Sequence, residues 1–206
     1  MEPGHNPQIK PGDLTGKARI RNTALDLYAA KGEDGTSMRA IAQAAGVTVG
    51  LLVHHFGTKD SIRDAVDDLV VDFFAHAIAQ APAATAPLAI AAARNEAVAQ
   101  MLASHPEVVN YLRRTLLEPG GHRSTLLGKL TTLTHREITA LRNAGVASTD
   151  RQESSQVIEL VVRQVGQLFL QPMIDAMWEH FHGPDAPDTG KPVLAVGIRD
   201  GDRGEF

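Results

Sequence analysis

The chain has 206 residues, of which 43% are hydrophobic and 21% are charged, a composition typical of a globular protein with a buried core. Its 20 lysines and arginines against 24 aspartates and glutamates give a net charge of −4, which excludes a uniformly basic nucleic-acid coat protein but not a local basic face. The absence of cysteine excludes disulfides, thiolate zinc sites and thiol nucleophiles. No apolar run approaches the roughly 20 residues that a membrane span needs, and no secretion signal opens the chain, so we expect a soluble cytoplasmic protein with no membrane partner.

Helical periodicity dominates the sequence. Apolar residues recur at three- and four-residue spacing over residues 17–181, and glycines and prolines divide that span into about nine segments if Pro172 separates the last two. The fold class predicted from this pattern is all-α, with about nine helices. Residues 1–15 and 183–206 are rich in Pro, Gly and polar residues, so we expect a flexible N-terminal arm and a loose C-terminal tail, of which only Val193–Val196 docks as a small segment.

The first sixty residues predict three short helices with clear signals at their ends. The first helix spans about residues 16–31, and the second, at 38–45, follows the good N-cap pair Thr36-Ser37 and is followed by a glycine. Thr48 is suited to cap a third, very short helix at 49–56. Two short helices joined by a tight glycine-containing turn have helix-turn-helix geometry, in which the second helix enters the major groove of DNA.

The segment from Arg19 to Ile62 resembles the DNA-binding domain of the TetR family of bacterial transcriptional regulators. The matching residues are Ile20…Ala24…Leu27-Tyr28…Lys31-Gly32, Thr36-Ser37-Met38-Arg39-Ala40-Ile41-Ala42…Ala44-Gly46-Val47, Gly50…Leu52-Val53-His54-His55-Phe56 and Thr58-Lys59-Asp60. The resemblance implies a helix-turn-helix DNA-binding domain at 16–62 and a ligand-binding and dimerisation domain at 63–182.

By position, the resemblance also implies which residues contact DNA. Arg39 would reach a phosphate or a base from the second helix, and His54 would face phosphate. Thr58 and Lys59 would clamp a phosphate with backbone N–H groups, the helix dipole and a cation. The leading end of the recognition helix would consist of Thr48, Val49, Gly50 and Leu51.

The recognition helix departs from the family pattern at three positions. Val53 stands where the family usually has Tyr, Leu51 where Thr or Ser is common, and Val49 where a basic or polar residue is common. The helix therefore offers few donors to base edges, although Val49 and Leu51 suit contact with thymine methyl groups. The adjacent His54-His55 pair is not expected to bind a metal, because neighbouring helical residues point about 100° apart.

The body of the chain supplies the candidates for ligand binding and dimerisation. The fourth helix, about 59–81, is long enough to connect the DNA-binding segment to the body. The last long segment, about 150–180, is apolar on more than one side, which favours pairing with a second copy; the candidate interface residues are Val161, Val165, Phe169 and Trp178. Polar or soft side chains among apolar helix faces are pocket candidates for a small hydrophobic effector: Met101, His105, Tyr111, Arg114, His135, Gln164, Gln167 and Met173.

Three functional hypotheses follow. The first is a ligand-responsive dimeric repressor that binds a near-palindromic DNA operator and is released by a small, hydrophobic effector. The second is a dimeric small-molecule-binding protein of the same fold whose DNA binding is weak or lost. It is suggested by the recognition helix, which has few hydrogen-bond donors for base edges. An α-helical enzyme is a distant third, because the sequence has no HExxH, no phosphate-binding glycine loop and no evident Ser/His/Asp set. We therefore expect neither enzymatic activity nor a cofactor.

Overall fold

The computed structural model describes residues 16–117, 123–185 and 187–198 of the chain. Within them the chain forms eight α-helices and no β-strand. The helices are α1 (Gly16–Lys31), α2 (Met38–Ala44), α3 (Val49–Phe56), α4 (Lys59–Gln80), α5 (Pro87–Ser104), α6 (Pro106–Leu117), α7 (Arg123–Asn143) and α8 (Glu153–His182). The predicted all-α class is confirmed, and no described helix is long and apolar enough to cross a membrane. The expectation of a flexible arm at 1–15 lies outside the described residues.

The described chain has eight helices, close to the predicted count of about nine. Pro172 lies inside α8 and does not separate two helices. A proline removes one backbone hydrogen bond and crowds the carbonyl four residues earlier, but α8 continues for 30 residues in total, so the turns on both sides of the proline keep the helix continuous.

The chain divides into two compact units, residues 1–129 and residues 130–206. The first unit holds α1–α6 and the beginning of α7 around an apolar core. The largest side chains of this core, almost without exposure, come from six helices: Ile20, Leu25, Tyr28, Ile41, Leu52, Ile62, Val66, Leu69, Val70, Phe73, Leu112 and Leu126. The predicted domain boundary near residue 62 falls within α4, and it remains a prediction.

In the second unit, α7 and α8 are joined by a loop that Arg142 closes. Its Nη1 donates to the carbonyl oxygens of Ser148 and Arg151 at 2.9 and 3.0 Å and to Gln156 Oε1 at 3.0 Å. Along α8 only Val157 is fully buried within the described chain. Six large apolar side chains of α8 are exposed: Ile158, Val162, Leu170, Met173, Met177 and Phe181.

Candidate DNA-binding interface

Local capping sets the geometry of α2, α3 and α4. Ser37, Thr48 and Thr58 are the N-caps of these helices, and each side-chain oxygen accepts a hydrogen bond from the backbone N–H three residues later at 3.1 Å. Gly46 and Gly57 adopt φ angles of 64° and 73° in the intervening turns. Only glycine reaches this region at little cost, so these residue types produce two tight turns and leave α3 as a short helix between them.

Helix α3 has both buried and exposed apolar side chains. Leu52 and Phe56 are buried and fix the helix against the first unit. Three other apolar side chains of this helix, Val49, Leu51 and Val53, are 44%, 37% and 46% exposed. An eight-residue helix with three apolar side chains in solvent presents a surface suited to a partner rather than to water alone.

Seven of the eight residues predicted to contact DNA are exposed, and the eighth is half-buried. Thr48, Val49, Gly50, Leu51 and His54 lie on the outside of α3 and its cap, Arg39 lies on α2, and Thr58 begins α4. The eighth, Lys59, turns inward, and its Nζ donates to the Glu33 carbonyl oxygen at 2.6 Å. Lys59 therefore ties α4 to the loop after α1, in addition to the phosphate contact that remains a prediction.

The start of α1 is a neighbour of α3 that was not among the predicted contact residues. A Cβ atom placed on Gly16 would lie 3.2 Å from Leu51 Cδ2 and 3.6 Å from His55 Nε2. Lys17 is exposed, and its Nζ lies 5.9 Å from the centre of the Phe56 ring at the end of α3. The sequence did indicate a DNA-facing role for this end of α1. Its first turn is basic, and because positive charge there opposes the helix dipole, it favours a nearby anion. Arg21, one turn further along α1, is buried and belongs to the core.

Helix α6 is bonded to both α1 and α4. Arg114 Nε and Nη2 donate to the carbonyl oxygens of Ala29 and Ala30 at 2.9 Å each, which satisfies two acceptors at the end of α1. The Tyr111 hydroxyl donates to Asp67 Oδ1 of α4 at 2.6 Å. Arg114 and Tyr111 both connect helices in the structure, and the pocket roles predicted for them remain predictions.

Burial perturbs the acid–base properties of this junction. The side chain of Asp67 is fully buried, and burial raises its pKa to about 6 although Tyr111, Lys129 and Arg63 oppose the increase. Burial and the neighbouring Asp67 charge likewise raise the pKa of Tyr111. Oδ2 of Asp67 and the Tyr28 hydroxyl are buried without a hydrogen-bond partner in the described chain.

Six of the residues predicted to bind a ligand divide between the two units. In the first unit, Met101 is half-buried, Tyr111 is buried, and the ring of His105 lies 4.5 Å from that of Phe73, with Nδ1 2.9 Å from Glu107 Oε1. In the second unit the three candidates differ in exposure: His135 and Met173 are exposed and Gln164 is half-buried. Their common role in one pocket remains a prediction.

The predicted interface residues Val161, Val165, Phe169 and Trp178 are half-buried on α8, and the apolar side chains most exposed on this helix are others. The ring of Trp178 stacks on that of His182 with a centroid distance of 3.9 Å. Among the described residues no group of three or more acidic or histidine side chains is arranged to hold a metal ion.

Comparisons with known proteins agree with this geometry. Residues 20–66 match the family model for bacterial regulatory proteins of the tetR family. This segment of the chain is therefore similar to the DNA-binding segment of TetR-family regulators. The HTH-type transcriptional regulatory protein RaaS of Mycobacterium tuberculosis is 45% identical over 64 residues, which are 31% of this chain and 30% of that protein. The HTH-type transcriptional repressor KstR2 of Rhodococcus jostii is 41% identical over 58 residues, 26% of this chain and 28% of that protein. The chain thus aligns with less than a third of the length of either relative.

Solved structures of the family share the fold over most of the chain. A TetR-family transcription regulator from Shewanella sp. PV-4 superposes with a TM-score of 0.66 at 21% identity, covering 82% of this chain and 92% of that one. The regulator PfmR of Thermus thermophilus gives a TM-score of 0.52 at 23% identity, covering 82% and 88% of the two chains. The predicted resemblance to the TetR family and the all-α fold are confirmed, and the named relatives are regulators rather than enzymes.

Proposed function

We propose that this protein is a dimeric, ligand-responsive transcriptional regulator of the TetR family that represses by binding a near-palindromic DNA operator. The observation that carries the proposal is the exposed outer side of α3, held between two capped turns within the segment that matches the family model. An exposed short helix that follows a tight turn is the element that enters a major groove in helix-turn-helix proteins.

In this proposal, α3 reads bases and its surroundings bind the backbone. Val49 and Leu51 contact thymine methyl groups, and Arg39 and His54 approach phosphates. The N-terminus of α4 offers Thr58 and the unsatisfied N–H groups of a first helical turn to another phosphate. Lys17, beside α3, adds a cation that the family resemblance alone did not assign.

Two copies of the chain pair through α8 in this proposal. The six exposed apolar side chains of this helix would cost free energy in water at about 25 cal/mol per Å² of apolar surface, and a second copy covers them by the same surface on both partners. Two-fold pairing sets the two α3 helices to bind half-sites about one helical turn of DNA apart, or a multiple of it.

The proposed effector is a small hydrophobic molecule, and its signal reaches the DNA-binding segment through α6. Arg114 and Tyr111 connect this one helix to α1 and α4, so a shift of α6 changes the position of both. Effector control of this type usually corresponds to a coupling free energy of about 1–3 kcal/mol.

Selection from a random duplex library with the purified full chain tests the proposal. We expect enrichment of a two-fold symmetric sequence whose half-sites are rich in A·T pairs, and binding that weakens steeply as salt rises, because phosphate contacts release counterions. Enrichment of no sequence, or binding independent of salt, would contradict it.

A second candidate is a dimeric small-molecule-binding protein without an operator. It is favoured by the exposed apolar side chains of α3, because Val49, Leu51 and Val53 supply no hydrogen-bond donor to a base edge. This candidate predicts that the library experiment enriches no DNA sequence, although the chain still forms dimers and binds a small molecule.

A further inference from the structure

The C-terminal residues 191–198, hereafter the strap, run antiparallel to α8 and are attached to it at three points. Lys191 Nζ lies 3.0 Å from Asp175 Oδ1, and the Leu194 N–H donates to Gln171 Oε1 at 3.0 Å. The hydrogen bonds from Lys191 and Gln171 lower the pKa of Asp175. The third attachment is an apolar contact further toward the start of α8.

That contact is between Val196 and Gly166. A Cβ atom placed on Gly166 would lie 2.9 Å from Val196 Cγ2 and 3.4 Å from Val196 Cβ, so the strap approaches α8 closely only because residue 166 has no side chain. Glycine in the middle of a helix costs roughly 0.5–1 kcal/mol relative to alanine. Gly166 therefore forms a notch in α8, and the valine of the same chain fills it.

The notch lies on the exposed apolar face of α8. At 100° per residue, Ile158, Val162, Gly166, Met173 and Met177 all fall within one side of the helix. The four large residues of this set are exposed, with Met173 at 58%. When two helices pack, their closest approach is at the smallest residues of the contact, so on this face a second helix would approach most closely at Gly166.

We propose that the strap masks the notch in the single chain, and that a second copy displaces Val196 from Gly166 when it pairs through α8. The inference rests on the proposed dimerisation through α8 and adds a competitor encoded in the same chain. The apparent Kd for self-association then rises as the fraction of chains with an open strap falls, because only open chains are competent to pair.

A disulfide staple tests the masking directly, since the natural chain has no cysteine. The 3.4 Å separation between the Val196 Cβ and the Cβ built on Gly166 is close to the roughly 3.5–4.5 Å usual for disulfides. In the variant Gly166→Cys/Val196→Cys, we expect an intramolecular disulfide to form in dilute protein. Sedimentation velocity should then show self-association at least about tenfold weaker in Kd terms when oxidised than when reduced.

A second variant releases the strap without altering α8. Val196→Asp removes the apolar contact, and we expect it to tighten self-association of the full chain by about tenfold, because the contact of one half-buried valine biases an equilibrium by about that order. Val193→Asp is the matched control, since Val193 is 78% exposed and the same charge there should leave Kd within about twofold.

The outcomes separate the inference from the proposed function. Failure of the staple to form within one chain, or self-association that is unchanged or weaker in Val196→Asp, would overturn masking while leaving dimerisation intact. Monomers at all concentrations in every variant, including Val196→Asp, would instead refute the proposed α8 dimer, and masking with it.

Discussion

The two compact units differ in how far they bury their apolar side chains. In the first, α1–α4 and α6 bury side chains such as Ile20, Ile41 and Leu69 completely. In the second, the 30 residues of α8 bury only Val157 fully within the described chain. The first unit closes its own core, whereas α8 leaves a surface whose burial requires something else, which is the strap in part and, in our proposal, a second copy.

A charge on the exposed face of α8 should give the largest effect. Val162→Asp would place a carboxylate in the proposed dimer interface, where an unpaired charge costs several kcal/mol, so we expect self-association to weaken more than about 100-fold. DNA affinity should fall with it, because each half-site would be bound separately. Analytical ultracentrifugation and a mobility shift on the selected DNA measure both.

Gln167→Asp is the matched control for this variant, because residue 167 is also exposed on α8 but points away from the apolar face. The melting temperature of both variants should stay close to that of the natural chain, since neither position is buried. Dimers of Val162→Asp as stable as those of the control would show that the exposed face of α8 does not pair.

A smaller effect, on stability alone, is expected in the first unit. Burial raises the pKa of Asp67 to about 6 in the folded chain, against about 3.9 when unfolded. Between these two pKa values the folded state binds more protons than the unfolded state. The Asp67 contribution to the free energy of unfolding is therefore greatest below about pH 4 and is lost as pH rises through 6. The asparagine of Asp67→Asn cannot ionise, so this variant should not show the decrease in the free energy of unfolding as pH rises.

We therefore expect the free energy of unfolding of Asp67→Asn, relative to the natural chain, to rise by about 3 kcal/mol between pH 4 and pH 8. Urea denaturation across this range measures it. Tyr111→Phe is the companion variant: without the hydroxyl that lowers the pKa of Asp67, the transition should move to higher pH. Parallel pH profiles for the natural chain and Asp67→Asn would exclude a buried ionisable carboxyl.

Local signals account for what the sequence predicted correctly. Ser37, Thr48 and Thr58 were recognisable as caps and Gly46 and Gly57 as turn residues, and these signals act within three or four residues. For that reason the predicted bounds of the first four helices agree with the structure to within one residue. Pro172 is a local signal for a break, but the helical turns on both sides of it keep α8 continuous.

The roles that sequence did not predict depend on distant partners. Tyr111 and Asp67 are 44 positions apart, and Arg114 reaches carbonyl groups of α1 that are 84 and 85 positions away. Backbone carbonyl groups have no sequence signature, so the sequence pattern gave no sign that Arg114 and Lys59 bind them. The Gly166–Val196 contact was equally invisible, although the apolar Val193–Val196 segment predicted docking of some kind.

The salt dependence of DNA binding by Arg39→Ala tests the central claim, binding of DNA by the α2–α3 surface, most directly. Arg39 is exposed on α2, and Arg136→Ala, at an exposed arginine of α7, is the control. We predict weaker binding to every sequence and a slope of log K against log salt that is reduced by about one in Arg39→Ala alone. An affinity and slope unchanged from the natural chain would contradict the account.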